Sequence, residues 1–204
     1  MRTDIFTGTF IIVLAAVLVV GRLSVKESRS VMRYYADFSD AVEIAVDDAC
    51  AYLGIFAWDN EIGPENAEYI EGVFIDSLAA ALGKNSDLYK KELARMTAAF
   101  SVSDGKGRML IRSTGRGGPW RIFTGCADGD EAARIVTDVV NGGEDGFWGQ
   151  SEHTLFLPDE TGIIEFKAGS EMSVFVYMVC RVGASLTGNH DFVCVRNARI
   201  REKT

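Results

Sequence analysis

Apolar and polar positions change their spacing three times along this chain. From Ile5 to Gly21 no charged side chain occurs, and Ile11, Ile12, Val13, Leu14, Val17 and Leu18 wrap every side of a helix with hydrocarbon. Roughly 17 residues at about 1.5 Å rise reach about 26 Å, the lower limit for crossing a bilayer core of about 30 Å. The pattern predicts a transmembrane anchor over 5–21 behind a short tail, residues 1–4. Between Arg22 and Leu53 there is neither Gly nor Pro, and Val31, Tyr34, Tyr35, Phe38, Val42, Ala45, Val46, Ala49 and Leu53 recur at intervals of three and four, which places them on one stripe. Asp37, Asp40, Glu43, Asp47 and Asp48 largely fall between them. The expectation is one helix, suited first to lipid and then amphipathic, with a stalk over 22–54 that Gly54 terminates.

The remainder, 55–204, reads as a globular head. Pro64 after Gly63 opens a helix whose apolar side is Tyr69, Ile70, Val73, Phe74, Leu78 and Leu82, with Gly83 behind it. Ser86 caps a second helix carrying Leu88, Leu93, Met96 and Phe100, with Lys90, Lys91 and Arg95 on its wet side. The period then shortens. "FSVSDGKGRMLIRST" predicts two strands around an Asp104-Gly105-Lys106-Gly107 turn, and "GPWRIFTG" a third strand. A short helix capped by Asp128 or Asp130, with Ile135, Val136, Val139 and Val140 on its apolar side, precedes four more strand candidates, "HTLFLP", "GIIEFKAG", "EMSVFVYMVCRVG" and "DFVCVRNARIRE". Connections this short make antiparallel neighbours. The fold class is α+β: a transmembrane helix continuous with a long amphipathic helix, and two to three shorter helices on a mostly antiparallel sheet.

Composition narrows the function classes. With 204 residues, 48% hydrophobic, the chain can bury one substantial core. A net charge of -8 argues against general affinity for nucleic acid, which depends on Lys and Arg displacing counterions from phosphates. Cys50, Cys126, Cys180 and Cys194 lack zinc-ribbon or CxxC spacing; Cys180 and Cys194 sit in strand-like runs, where buried small side chains are expected. Ahead of the apolar run the basic groups are Arg2 and the terminal amine, Asp4 offsets one of them, and Val19-x-Gly21 is a mediocre cleavage site, so the leader is expected to be retained. Arg22, Lys26, Arg29 and Arg33 follow the span, and the positive-inside tendency taken alone places the head in the cytoplasm.

No segment carries a complete catalytic set. "GNHD", Gly188 to Asp191, matches one ligand motif of two-metal phosphoesterases, but the two histidines of the chain, His153 and His190, supply no Asp-x-His partner, and a polar hairpin turn is the expectation. "DGDE" lacks the length of an EF-hand loop, and "GRGGPW" lacks the Lys-Ser/Thr pair of a phosphate cradle. The most suggestive run is "NGGEDGFWGQSEH" over 141–153, where Glu144, Asp145, Phe147, Trp148 and His153 form a candidate partner-contact loop. The chain therefore reads as a protein without enzymatic activity, cofactor or metal.

"RYYADFSDAVEIAVDDACAYL", "VFIDSLAAALG" and "AAFSVSDGKGRMLI", placed behind an apolar span, resemble type IV pilin-like proteins and, more closely, TadE-like single-pass proteins that accompany Tad-type pilus or secretion machinery in Gram-positive bacteria. The resemblance covers roughly the first half. It departs from that family's prepilin-peptidase pattern, since Thr9 follows Gly8 and the span holds no acidic residue. The resemblance implies a structural or interaction protein of the cell membrane with an extracytoplasmic head, against the flanking charges. Its partners would be the lipid bilayer and other membrane proteins or pilin-like subunits, including further copies in a homo-oligomer, and no nucleic acid. The alternative is a membrane-anchored ligand-binding or sensor domain that uses the 141–153 loop.

Overall fold

The computed structural model describes residues 2–57, 61–114, 117–124, 172–185 and 188–200, with side chains from Val13 onward. These form helices α1 (Arg2–Ala57), α2 (Pro64–Ala81) and α3 (Asp87–Met96) and strands β1 (Thr97–Asp104), β2 (Arg108–Arg112), β3 (Arg121–Thr124), β4 (Met172–Ala184) and β5 (Gly188–Arg199). The class is α+β, as the periodicity predicts. Among the described residues no helix is long and apolar enough to cross a membrane. Of the apolar run 5–21, the side chains of 5–12, Ile11 and Ile12 among them, lie outside the described residues, as do the helix expected over 128–142 and the first two of the last four strand candidates.

Local chemistry explains most boundaries. Pro64 sits at the first turn of α2 behind the extended Gly63, where its missing N–H costs nothing. Gly83, at φ 68°, closes that helix, and the Lys84 N–H donates to the Ala79 carbonyl at 2.9 Å. The Ser86 hydroxyl accepts from the Tyr89 N–H and caps α3. In the β1–β2 turn one carboxylate oxygen of Asp104 accepts from the N–H groups of Lys106 (2.7 Å) and Arg108 (3.0 Å), while Gly105 and Gly107 take positive φ.

Three expectations are corrected. α1 does not stop at Gly54 but runs to Ala57; that glycine serves close packing, since a Cβ there would lie 2.7 Å from Ile200 Cδ1. α3 ends at Met96, so Phe100 belongs to β1, and Leu88, 72% exposed, is not on a buried helix face. "GNHD" is not merely a turn: Gly188–Arg199 is β5.

The strand order is β3-β2-β1-β4-β5, and β1 lies antiparallel to both β2 and β4, with Phe100 facing Arg112 on one side and Val176 on the other. β1 is buried at every position. The chain forms two compact units, Met1–Phe38 with Arg181–Phe192, and Ser39–Cys180 with Val193–Thr204. In the larger one, Val42, Ala45, Val46, Ala49 and Leu53 of α1 are withdrawn from water, each Val or Leu gaining roughly 1.5–3 kcal/mol by burial. The Phe74 ring of α2 lies 5.5 Å from that of Phe100. The Ser77 hydroxyl of α2 donates to Asp48 of α1, which fixes the two helices side by side.

Candidate functional site

Two surfaces emerge, one in each unit. In the smaller unit the described part of the apolar run is exposed on every side. Val13, Leu14, Val17 and Leu18 are 55%, 48%, 62% and 59% accessible, and Ala15, Ala16, Val19, Val20 and Leu23 are exposed as well. A helix apolar all round belongs in a hydrophobic medium, because no turn of it can be presented to water without cost.

The C-terminal part of this unit's helix is held by the turn between β4 and β5. Glu27 accepts a hydrogen bond from the Ser185 N–H, and two helical turns on, Tyr35 stacks on Phe192 with ring centres 4.7 Å apart; His190 stacks on the same Phe192. Arg181 holds Asp191 through two parallel bonds of 2.7 and 2.9 Å, a bidentate geometry that raises the guanidinium pKa by hydrogen bonding to the carboxylate. "GNHD" thus supplies a stacked imidazole and an ion-paired carboxylate to a structural clasp.

The other side of this helix carries Arg22, Lys26, Arg29 and Arg33, all exposed. At about 100° per residue they fall within an arc of about 60°, whereas Glu27, Val31 and Tyr35 lie across the axis. Glu27 is the one acidic residue between positions 22 and 36, and its carboxylate is turned to Ser185.

In the larger unit a second surface joins α1 and α2. Tyr69, 53% exposed, packs edge-on against Phe56 at 5.6 Å and tilts over Tyr52 at 6.2 Å; Ile55 beside them is 73% exposed. Neither residues 34–57 nor α2 contain Lys or Arg, and exposed Asp48 and Glu65 stand one helical turn before Tyr52 and Tyr69. Aromatic anchors with a charged rim are the composition of a protein contact surface. Sequence reading missed it by placing Tyr69 on the buried side of α2 and passing over Tyr52 and Phe56. Their i, i+4 spacing off the buried stripe was the available signal.

The buried polar groups of this unit are structural. Glu71 of α2 accepts from Arg112 and from the Thr114 hydroxyl, and the Arg112 guanidinium lies 4.7 Å over the Trp120 ring, so Trp120 covers an ion pair. Arg196 donates to Ser39 and lies 3.6 Å from Glu43, tying β5 to α1. Cys50, Cys180 and Cys194 are buried and not joined in disulfides. Burial pushes Cys50 from 9.0 up to about 11 and Cys194 in the same direction, the reverse of an activated nucleophile. Among the described residues no group of His, Cys, Asp and Glu is arranged to hold a metal. Glu144, Asp145, Phe147, Trp148, His153 and Cys126 lie outside the described residues. Comparisons with family models, with curated proteins and with solved structures find no match.

Proposed function

We propose that this chain is a non-enzymatic, single-pass membrane protein that acts as an accessory subunit of a pilus or secretion assembly, with its head on the extracytoplasmic side. One observation carries the reading: Val13 to Val20 form an α-helix that is apolar all round and exposed all round. By itself that stretch covers only about 12 Å, but Ile5 to Ile12 before it and Gly21 after it extend the uncharged run in the sequence to about 26 Å, the lower limit for a bilayer core. Small residues along the run, Gly8, Ala15, Ala16 and Gly21, suit close approach of neighbouring anchors. The acidic, ring-bearing surface of α1 and α2 then faces partners of the head.

The test is extraction. The full chain is expected to float with vesicles through high salt and alkaline carbonate, and Leu14→Arg with Val17→Arg, costing roughly 2.5–3.5 kcal/mol each near the span centre, is expected to release it. A native chain that is monodisperse without detergent and absent from the vesicle fraction overturns the reading. Sidedness follows from Leu88→Cys, since Leu88 is 72% exposed: labelling by an impermeant maleimide in intact cells is expected, and protection places the head inside.

A further inference from the structure

We propose that the face of α1 immediately after the apolar run is an anionic-phospholipid site, with Arg22, Lys26 and Arg29 on the phosphate and Val17, Leu18 and Gly21 along the acyl chain. The inference rests on the membrane-anchor reading and adds a ligand to it. With Val25 these residues line one face of α1, an open surface region of about 660 Å³ in the smaller unit, apolar at its start and basic at its end. Gly21 sits at the transition, and a Cβ built there meets nothing within 4 Å, so this face is open there.

Three features select a lipid headgroup over other anions. First, among the described residues Arg22, Lys26, Arg29 and Arg33 form no ion pair, and Glu27 is engaged by the Ser185 N–H across the helix. Second, the axial positions match an interface. Lys26 lies about 6 Å beyond Arg22, within a headgroup layer and a Debye length of about 8 Å, whereas Arg29 lies about 10 Å and Arg33 about 16 Å beyond it, increasingly screened. Third, helical side chains lean toward the N-terminus, so these three long cations reach back toward the apolar run and hence toward the bilayer surface. The acidic balance of the whole chain disfavours a nucleic acid at the same stripe.

The test uses the full chain in vesicles of phosphatidylcholine with or without phosphatidylglycerol, and measures which lipids remain bound when the protein is taken up in mild detergent. Phosphatidylglycerol is expected to be enriched over phosphatidylcholine. Each of Arg22→Gln and Lys26→Gln is expected to reduce the enrichment about fivefold, corresponding to about 1 kcal/mol per surface cation. Arg29→Gln should reduce it less and Arg33→Gln hardly at all. Equal effects at Arg22 and Arg33 overturn the headgroup placement in favour of an elongated polyanion or protein partner. Glycerol phosphate in solution that displaces the lipid at comparable concentration overturns the bilayer as source. A chain that resists salt and carbonate in pure phosphatidylcholine yet shows no phosphatidylglycerol preference removes this inference and leaves the anchor intact. Flotation that needs phosphatidylglycerol and is reversed by salt removes both.

Discussion

α1 presents the same residue types in two ways. Over 38–57 its apolar residues keep to one stripe, and Phe38, Val42, Ala45, Val46, Ala49 and Leu53 are buried while Asp40, Asp47 and Asp48 face water. Over 13–23 Val, Leu and Ala surround the axis, and each is exposed. The difference lies in arrangement. A stripe can be satisfied by one neighbouring layer of the same chain, whereas an apolar cylinder needs an apolar medium or several other helices around it.

The sharpest way to break this comparison makes one chemical change in both places. Leu53→Ala removes a side chain with no exposure and is expected to cost about 2–5 kcal/mol in urea unfolding. Leu18→Ala should leave the same unfolding transition unmoved. Equal losses would mean that the run is packed within the folded protein and would end the contrast.

A second pair concerns carboxylates. Glu71→Gln strips Arg112 of its buried partner and is expected to cost roughly 3 kcal/mol, the low end for a broken buried pair, because Glu68 and the Trp120 ring still face the guanidinium. Asp40→Asn on the exposed side of α1 should stay within about 0.5 kcal/mol by the same unfolding measurement.

Gly54 sharpens the comparison at a single point. An alanine there gains about 1 kcal/mol of helix propensity but crowds Ile200 Cδ1, the movable end of its side chain, so Gly54→Ala alone should lie within about 1 kcal/mol of the native chain. In an Ile200→Val background, which removes that atom, the same change should stabilise by up to about 1 kcal/mol; a double-mutant cycle without coupling would deny the contact.

The last effect is alkaline. Burial raises the Cys50 thiol from 9.0 to about 11 and moves Cys194 and Tyr177 upward too. The folded state then keeps protons that the unfolded chain releases, so stability is fully present below about pH 9 and declines as pH rises toward 11. Cys50→Ala should flatten part of that decline in urea titrations at pH 8, 9 and 10, and an unchanged slope would assign the loss elsewhere.

Much of the fold was legible because the chemistry is local. The Pro64 start, the Gly83 stop, the Ser86 cap and the Asp104-Gly105-Lys106-Gly107 turn each depend on backbone groups a few residues away. The buried stripe of α1 was legible because helical period and hydrophobicity agree over six turns. The aromatic surface was not: Tyr52, Phe56 and Tyr69 differ from buried aromatics only in which neighbour they meet, and Tyr69 has the apolar spacing of its buried companions. Phe100 was equally ambiguous, since one helical turn and one strand pair both accommodate a ring beside Met96.

By itself the sequence determined where backbone must turn, which helix face avoids water and where hydrocarbon outlasts any single face, because these follow from periodicity and from the φ limits of Gly and Pro. Only the tertiary structure decided that Gly54 is a packing notch, that Glu27 turns to Ser185 while Arg22, Lys26, Arg29 and Arg33 stay exposed on the opposite side, and that three rings gather at the surface. Those outcomes depend on contacts between residues far apart in the chain, whose direction no local pattern encodes.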